Sequence, residues 1–598
     1  MKDFNESVEA RKDKHLIARL LNYLKPYSGK FVVSFLLMIL TTLAGMILPL
    51  ISGLAIDYMA DTSLELSERL KLLNIGIIGI FILIVVTITI SYFQQMILQD
   101  IGQDVTHLMR TQVFEHIEQL SIGQINQLPV GKLVTRANND PANISDMFTN
   151  TIVNLVKNIM SMLIILVIMF LINWQMALIA LVSVPLIVIA TLFFRKYSRK
   201  AYRKTRDNVS NVNAFLSENL SGMKITQVFN QEEKKRKEFK KINDDLRKSY
   251  LKEIIIFGVY RPVIWASAMI ASILSVYFGV QAVFAGTLTI GFFFSFYIYV
   301  GQLYEPVQQI ADQFNNLQSG FASAEKIFDV LDTKPDIVDS PDAIELTEFK
   351  GEIEFKDVWF SYVPDEWVLK GVSFKVLPNE TVAFVGSTGS GKTTILQLIV
   401  RNYDIQKGEI LIDGIDIKKI KRSSLRSFVG QMLQDVFLFS GTIKENITLG
   451  DESITDSDIK AASEYVGLDY VLNKLPDGLD HVVRERGNNF SSGERQLISF
   501  ARAVVYQPSL MILDEATANI DSETEAIIQD SLNKMMNIST MLIVAHRLST
   551  IQHSDKILVM SKGEVKEMGS HQELLKQKGI YYNLYKLQYD KQEGEINA

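Results

Sequence analysis

At positions 386–393 the chain reads Gly386-Ser387-Thr388-Gly389-Ser390-Gly391-Lys392-Thr393. One apolar run, residues 381–385, enters this stretch, and another, residues 394–399, leaves it. The order predicts a strand, a glycine-rich loop and a helix, and the spacing G-x-x-x-x-G-K-T is the P-loop pattern. Glycines allow consecutive backbone N–H groups to turn inward and form an anion-binding concavity, to which the helix adds the positive end of its dipole.

This loop predicts a bound nucleoside triphosphate together with Mg²⁺. We expect Lys392 to reach the β- and γ-phosphates and the Thr393 hydroxyl to hold the metal. A glycine-rich loop that only turns a strand into a helix is the alternative, but such a loop needs neither the lysine nor the threonine. The stretch therefore indicates binding of ATP or GTP.

Length and composition limit what the rest of the chain can be. A chain of 598 residues is too long for one hydrophobic core, so we expect two to four domains. The formal net charge of -6 argues against nucleic acid as a partner. Because the sequence contains no cysteine, disulfides, thiolate metal sites and thiol nucleophiles are excluded.

Long apolar runs are concentrated in the first half of the chain. A bilayer core of about 30 Å needs about 20 apolar residues per helix. Four runs reach that length unaided, and the third and sixth reach it when their neighbouring segments extend them, so we expect six transmembrane helices. The runs are residues 31–58, 73–93, 159–172, 176–194, 254–285 and 288–303.

The distribution of lysine and arginine predicts the orientation of these helices. Basic residues are concentrated before the first run and after the fourth, and the turns 173–175 and 286–287 contain none. By the positive-inside rule we expect a multi-pass protein of the cell membrane with both termini in the cytoplasm. The long connections 94–150 and 195–253 then lie inside, and they read as transmembrane helices that continue past the bilayer.

A fall in hydropathy near residue 323 and a segment rich in proline and acidic residues divide the chain. The second half opens with strand patterns near 353–358 and 372–376, before the P-loop. The predicted architecture is an all-α six-helix transmembrane domain followed by an α/β P-loop ATPase domain. Its parts are the transmembrane domain at 1–330, a linker at 331–350, the ATPase domain at 351–587 and a polar tail at 588–598.

A second ATPase element is the apolar run 510–513, which ends in Asp514 and Glu515. A buried parallel strand that ends in two carboxylates is typical of P-loop ATPases. We expect Asp514 to hold Mg²⁺ through its water shell and Glu515 to polarise the water that attacks the γ-phosphate. Two solvated acids at a strand end are the alternative, which the upstream P-loop disfavours.

Three further positions are less specific. His546 follows the apolar run 540–545, and a histidine at the carboxyl edge of a strand lies at the crevice of an open α/β sheet. A capped structural histidine fits that position equally well, and Gln434 taken alone is a loop glutamine. Ser491 is a good N-cap for an apolar helix whose N-terminus is open to an anion. One copy of the fold offers no second phosphate to this helix N-terminus. We therefore expect it to contact nucleotide that is bound to another subunit.

Together these motifs resemble the nucleotide-binding domain of ABC transporters, and the six upstream runs resemble an exporter-type half-transporter. The resemblance extends over essentially the whole chain. It implies that Tyr362 stacks on adenine, that Gln434 senses Mg²⁺ and that His546 contacts the γ-phosphate. It also implies that Asp521 communicates across a dimer. The implied nucleotide-binding set is Tyr362, Gly386, Ser387, Thr388, Gly389, Ser390, Gly391, Lys392, Thr393, Thr394, Gln434, Ser491, Ser492, Gly493, Asp514 and Asp521, with Lys392, Glu515 and His546 as catalytic groups and Thr393, Gln434 and Asp514 at Mg²⁺.

The same resemblance assigns surfaces that connect the domains. Residues 131–140 and 222–230 resemble the two coupling helices, and residues 485–487 resemble the segment that touches the partner's intracellular loops. The sequence departs from the family's LSGGQ pattern at Phe490, Ser492 and Glu494. A serine adds bulk where the backbone must approach a γ-phosphate, and we expect the Glu494 carboxylate to add repulsion.

These departures affect the site of the opposite subunit, since this helix serves that site. We therefore expect a second half-transporter that is a different chain, with a glycine-rich signature loop and a defective catalytic carboxylate. A homodimer that tolerates the serine is the alternative.

The expected function is ATP-driven export of hydrophobic or amphipathic compounds, of the multidrug type, across the lipid bilayer by alternating access. The alternatives are a flippase for lipids or lipid-linked precursors, and a membrane ATPase that acts as a sensor or regulator without cargo. Arg261 in the fifth run and the aromatic residues within 292–299 suit a cavity for small amphipathic or cationic cargo. Packing between helices explains the aromatic residues at least as well.

Overall fold

The computed structural model describes residues 16–432, 435–514, 522–536, 539–544 and 551–587. It divides into two compact units. The membrane unit is Met1–Glu118 with Val130–Thr333, and the nucleotide unit is Gln119–Pro129 with Lys334–Ala598. The helical and the sheet-containing halves follow the order expected from sequence. Gln119–Pro129, which we expected within the transmembrane domain, belongs instead to the nucleotide unit.

The N-terminal half is built from helices that follow one another with short connections. A π-helical turn, Met147–Thr151, separates two of them. In chain order the helices are α1 (Ser28–Ala60), α2 (Leu66–Gln119), α3 (Ile122–Gln127), α4 (Val130–Asp146), α5 (Ile152–Ile172), α6 (Trp174–Leu181), α7 (Val184–Ser221), α8 (Met223–Val228), α9 (Glu232–Phe284), α10 (Ile290–Gln302) and α11 (Glu305–Asp332).

The predicted sixth span is divided between α10 and α11. Pro306 lies in the first turn of α11, and it has no N–H to donate to the preceding turn, so α10 ends before it. Among the described residues, five helical segments are long and apolar enough to cross a membrane by themselves: Leu16–Ala60, Leu66–Gln119, Val130–Ile172, Trp174–Ser221 and Glu232–Phe284. The chain is therefore a multi-pass membrane protein.

Several helices are much longer than a bilayer requires. The helices α2 and α9 contain 54 and 53 residues. At 1.5 Å per residue each is about 80 Å long, against about 30 Å for the hydrocarbon core. The expectation that residues 94–150 and 195–253 continue the transmembrane helices is confirmed. The short helix α3 joins α2 to α4, and α8 joins α7 to α9.

The nucleotide unit is built on two principal sheets. A six-stranded sheet has the order β12-β11-β3-β10-β9-β6, in which only the β11–β12 pair is antiparallel. An antiparallel sheet has the order β2-β1-β4-β5. The strands are β1 (Ile353–Ser361), β2 (Trp367–Val376), β3 (Thr381–Gly386), β4 (Lys407–Ile412), β5 (Ile415–Asp416), β6 (Val429–Met432), β7 (Gly441–Thr442), β8 (Val482–Val483), β9 (Leu510–Asp514), β10 (Thr540–Val544), β11 (Lys556–Ser561) and β12 (Glu564–Gly569).

The central strands explain where the chemistry lies. Every residue of β9 and of β10 is buried, as expected for parallel strands covered on both faces. The carboxyl ends of β3, β9 and β10 lie at the same edge, because these strands are parallel neighbours. The helices of this unit are α12 (Lys392–Ile399), α13 (Arg422–Ser427), α14 (Ile443–Thr448), α15 (Asp456–Tyr465), α16 (Asp469–Leu472), α17 (Ser492–Val504), α18 (Ser522–Met535) and α19 (His571–Gln577).

Much of the segment expected to be a linker is packed onto the nucleotide unit. Ile337 and Phe349 are both 4% exposed. The Asp339 carboxylate accepts hydrogen bonds from the guanidinium of Arg401 and from the backbone N–H of Arg422, each at 3.3 Å. Residues 337–349 are therefore part of this unit and do not act as a free spacer.

The chain passes between the units at three peptide bonds, and the last of them joins Thr333 to Lys334. Within the membrane unit, His116 Nε2 donates to Thr333 O at 2.9 Å. Within the nucleotide unit, the Gln124 side-chain amide donates to Lys334 O at 2.8 Å and its carbonyl accepts from Asp336 N at 3.3 Å. The residues on the two sides of this bond are thus each held by their own unit.

Candidate functional site

The loop between β3 and α12 has a backbone that side chains would obstruct. Gly391 has a φ of +103° at the N-cap of α12, a conformation that favours glycine. A Cβ at Gly386 would lie 2.2 Å from the Met560 carbonyl oxygen on β11. The glycines therefore let the loop fold tightly between the sheet and the start of the helix, as the P-loop pattern predicts.

Lys392 and Ser390 place polar groups in this loop. The Lys392 ammonium is largely buried, and Nζ donates to Gly386 O at 2.7 Å and to Ser387 O at 3.1 Å. The Ser390 side chain is 2% exposed, and its hydroxyl oxygen has no hydrogen-bond partner within the described residues. A buried cation and an unsatisfied hydroxyl at a helix N-terminus suit the oxygens of a phosphate chain.

Thr393 and Asp514 bring oxygen ligands to the same edge of the sheet. The Thr393 hydroxyl donates to Asp514 Oδ1 at 3.4 Å, and the Asp514 side chain is buried at the end of β9. Hydroxyl and carboxylate oxygens are the ligands that Mg²⁺ prefers beside a bound phosphate. The residues present therefore fit the expected metal, and the two side chains are brought together from positions 121 residues apart.

Tyr362 lies beside the first turn of α12. Its hydroxyl is 3.1 Å from Thr394 Oγ1, and its ring meets the rings of Phe360 and Tyr403 edge to face, with centroid distances of 4.9 and 5.0 Å. Burial raises the pKa of the Tyr362 hydroxyl above its usual value. About half of the side chain is exposed, which leaves a ring surface next to the phosphate loop for a base.

The start of α17 differs from the expectation in one respect. Ser491 Oγ accepts from Glu494 N at 3.2 Å, and Glu494 Oε2 accepts from Ser491 N at 2.7 Å. This reciprocal pair is a capping box. The Glu494 carboxylate is therefore bound to the backbone of its own helix, where it stabilises the N-terminus. The structure gives no support for the repulsion that we expected from it, whereas Ser492 occupies the first helical position and Gly493 is buried.

Four of the expected site residues fall outside the part of the chain that the structure describes. They are Gln434, Glu515, Asp521 and His546.

Sequence reasoning misplaced the contact made by the first long connection, residues 94–150. The expected segment, residues 131–140, lies within the 17-residue helix α4. The short helix α3 belongs to the nucleotide unit instead, and Gly123 packs against the ring of Tyr403. A local signal for α3 existed, because Ser121 and Gln124 have the S-x-x-Q spacing of a capping box, which the structure shows fully formed.

Comparison with known proteins agrees with this geometry. The family model described as "ABC transporter transmembrane region" matches residues 31–307, and the model described as "ABC transporter" matches residues 369–518. A Bacillus subtilis protein named "Probable multidrug resistance ABC transporter ATP-binding/permease protein YheH" is 39% identical over 521 residues, which cover 85% of this chain and 75% of that protein.

A second relative and a solved structure extend the similarity to nearly the full length. The "ATP-dependent lipid A-core flippase" of Syntrophus aciditrophicus is 34% identical over 587 residues, with 97% of this chain and 96% of the relative covered. A bacterial Atm1-family ABC exporter solved with ATP bound is 27% identical, has a TM-score of 0.76 and covers 94% of this chain and 98% of its own. The chain therefore belongs to the ABC transporter family, as an exporter whose transmembrane region is joined to the ATPase that drives transport.

Proposed function

We propose that this exporter moves hydrophobic or amphipathic compounds, of the multidrug type, across the cell membrane by alternating access. The observation that carries the proposal is an open cavity of about 500 Å³ along the surface of α9, which is lined by apolar, aromatic and charged side chains. Its lining residues are Tyr250, Glu253, Ile254, Phe257, Gly258, Arg261 and Pro262.

The charged groups of the cavity favour amphipathic cargo over purely apolar cargo. Glu253 Oε2 is shielded from solvent and has no hydrogen-bond partner among the described residues. An unpartnered buried carboxylate oxygen is costly, and a cationic or hydrogen-bond-donating head group would stabilise it. Phe257 and Ile254 offer apolar surface beside it, and Gly258 leaves room for a bulky group.

The aromatic residues of the sixth run contribute less than the sequence suggested. Phe296 and Tyr299 have no exposed surface and lie in the hydrophobic core of the membrane unit, which favours a packing role. Phe294 and Tyr297 are about two-fifths exposed. The cavity on α9 is therefore the better basis for cargo recognition.

The energy source follows from the site at the P-loop. Lys392, the loop N–H groups and the start of α12 hold and orient the phosphates of ATP, while Thr393 and Asp514 hold Mg²⁺, which neutralises phosphate charge when bound. Glu515 orients the attacking water, and His546 contacts the γ-phosphate. Gln434 and Asp521 sense the nucleotide and communicate with the partner subunit.

A chain of this type works as a dimer in the lipid bilayer, and both of its termini lie on the cytoplasmic side in this proposal. The partner is a different chain, because Ser492 occupies a position where the family has glycine and where the opposite subunit's nucleotide must approach the backbone. Expression of this chain alone and with candidate partner chains tests this point. A stable homodimer that transports cargo with two equivalent hydrolysing sites would refute it.

The cargo proposal is tested in vesicles that contain the purified transporter. ATPase activity and uptake are measured against a panel of fluorescent amphipathic cations, for the parent, for Glu253→Gln, and for Glu238→Gln, a partly exposed glutamate that pairs with Lys235 on the same helix outside the cavity. We expect the cations to stimulate ATPase activity, Glu253→Gln to abolish the stimulation, and Glu238→Gln to retain it. If the cations stimulate the two variants equally, the cavity does not bind the cargo and the proposal is refuted.

A lipid flippase is the second candidate, and the name of the 34% identical relative favours it. The same vesicles with fluorescent phospholipids separate the two functions. Lipid translocation without any movement of soluble amphiphiles would favour the flippase, and the absence of both activities would favour a sensor.

A further inference from the structure

The short helix α3 is connected to the nucleotide unit of its own chain through one aromatic ring. A Cβ at Gly123 would lie 2.8 Å from Tyr403 Cε1 and 3.4 Å from Tyr403 Cδ1. The backbone of α3 therefore rests directly on that ring, at a distance that only glycine permits without displacement. The hydrogen bonds of Gln124 to Lys334 and Asp336 hold α3 in this place.

The same ring contacts the residue proposed to bind adenine. Tyr403 follows α12, and its ring lies 5.0 Å from that of Tyr362 at an interplanar angle of 85°. It also lies 5.6 Å from the ring of Phe360, which is almost fully buried in the core of the nucleotide unit. Aromatic pairs prefer definite geometries, and the Tyr362–Tyr403 pair is edge to face, so the position of one ring restricts the position of the next.

Tyr362 is in turn connected to the phosphate loop. Its hydroxyl is hydrogen-bonded to Thr394, the residue after Thr393. Tyr362 is therefore held at its hydroxyl by α12 and along its ring by Tyr403. The contacts run without a gap from Gly123 in α3, through Tyr403 and Tyr362, to the first turn of the P-loop helix.

We propose that Tyr403 is a positioning residue that couples the location of α3 to the affinity of the site for the base of ATP. The inference rests on the proposed role of Tyr362 as the adenine platform. When α3 moves, the ring of Tyr403 gains or loses its support, and the orientation of Tyr362 changes with it. By thermodynamic reciprocity, a bound adenine biases the position of α3 to the same extent.

The test measures ATPase kinetics of the full-length transporter in lipid vesicles. Tyr403→Leu should raise KM for ATP about 2- to 10-fold, the range expected for loss of one aromatic pair, with kcat nearly unchanged. Tyr403→Phe keeps the ring and should restore the parental KM. Gly123→Ala inserts a methyl group against the ring of Tyr403 and should also raise KM for ATP, although residue 123 is far from the P-loop along the chain.

Two controls separate positioning from general damage. Gly131→Ala is the matched control for Gly123→Ala, because a Cβ at Gly131 would meet no atom within 4 Å. Inorganic tripolyphosphate has the phosphates of ATP but no base, so its inhibition constant should not change in Tyr403→Leu or Gly123→Ala. The double variant Gly123→Ala with Tyr403→Leu should show no further rise in KM beyond Tyr403→Leu, since the two changes act on one contact.

The outcomes distinguish this inference from the proposal on which it rests. If Tyr362→Ala raises KM for ATP but neither Tyr403→Leu nor Gly123→Ala does, the coupling through Tyr403 is refuted and the adenine platform remains. If Tyr362→Ala also leaves KM unchanged, both ideas are refuted. A parallel change in tripolyphosphate inhibition would show that Tyr403 supports the phosphate loop as a whole, and would overturn the assignment to the base.

Discussion

The helices α3 and α8 occupy equivalent places in the chain but have different surroundings. Each is six residues long and joins two helical segments that are long enough to cross a membrane. The helix α3 has a complete capping box at Ser121 and lies in the nucleotide unit of its own chain. The helix α8 has Gly222 at its N-cap without a side-chain cap, and Ile225, Val228 and Phe229 are each about two-thirds exposed.

The difference shows which of the two short helices has its contact within a single chain. The contact of α3 with Tyr403 is made inside one chain. The apolar side chains of α8 form an exposed patch of the kind that marks a protein interaction site. Because exporters of this family work in pairs, we expect the second subunit to cover α8. One connection is therefore preorganised within a single chain, and we expect the other to become buried when the dimer forms.

The largest expected effect comes from a substitution that blocks ATP hydrolysis. Glu515→Gln should leave ATP binding intact and lower kcat by a factor of about 10²–10⁴, since it removes the group that orients water. The ATP-bound dimer should then persist. Because the chain has no cysteine, a single cysteine at Ile225 can report this, and it should stay protected from thiol reagents after ATP addition. Hydrolysis at the parental rate would contradict the role of Glu515.

The next largest effect concerns binding of the adenine base at Tyr362, which Tyr403 connects to α3. Tyr362→Ala should raise KM for ATP roughly 5- to 150-fold with kcat nearly unchanged, the range for loss of base–aromatic stacking. Tyr362→Phe loses the hydroxyl contact to Thr394 but keeps the ring, and should lie close to the parent. A fall in kcat without a rise in KM would make Tyr362 a structural residue.

The apolar patch on α8 gives a smaller effect. The double variant Ile225→Asp and Val228→Asp should lower cargo-stimulated ATPase activity roughly tenfold, the size expected for loss of a central interface contact. Gln227→Asp adds a charge to an exposed polar position of the same helix and serves as the control. Equal activities in the two variants would mean that no subunit covers this patch.

The smallest effect tests the preorganisation of α3. Ser121→Ala removes the N-cap, which is worth about 1 kcal/mol to a helix. Amide hydrogen exchange in residues 122–127 should therefore accelerate by up to about fivefold, whereas exchange in residues 223–228 stays as in the parent. Unchanged exchange in α3 would indicate that packing on Tyr403 alone orders this helix.

The parts of the fold that sequence predicts are those with strong local signals. The P-loop, the buried strands β9 and β10 and the long helices follow from apolar runs and glycine spacing. The break between α10 and α11 was readable from Pro306, and the capping box of Glu494 from its spacing to Ser491. Both local signals were present in the sequence.

Other features depend on contacts between distant residues. Ile337 and Phe349 stand in a segment whose composition indicates a linker, and nothing in that composition reveals that they are buried. The contact between Gly123 and Tyr403 joins residues that are 280 positions apart in the chain. No period or motif encodes such a pairing, which arises only when the chain has folded.

The boundary at Thr333 and Lys334 has a kinematic consequence. With Thr333 held by His116 and Lys334 held by Gln124, the connection between units at this point contains no slack chain. The chain at this point therefore acts as a joint that can turn about the few backbone bonds between Thr333 and Lys334. Stretching is not available to such a joint.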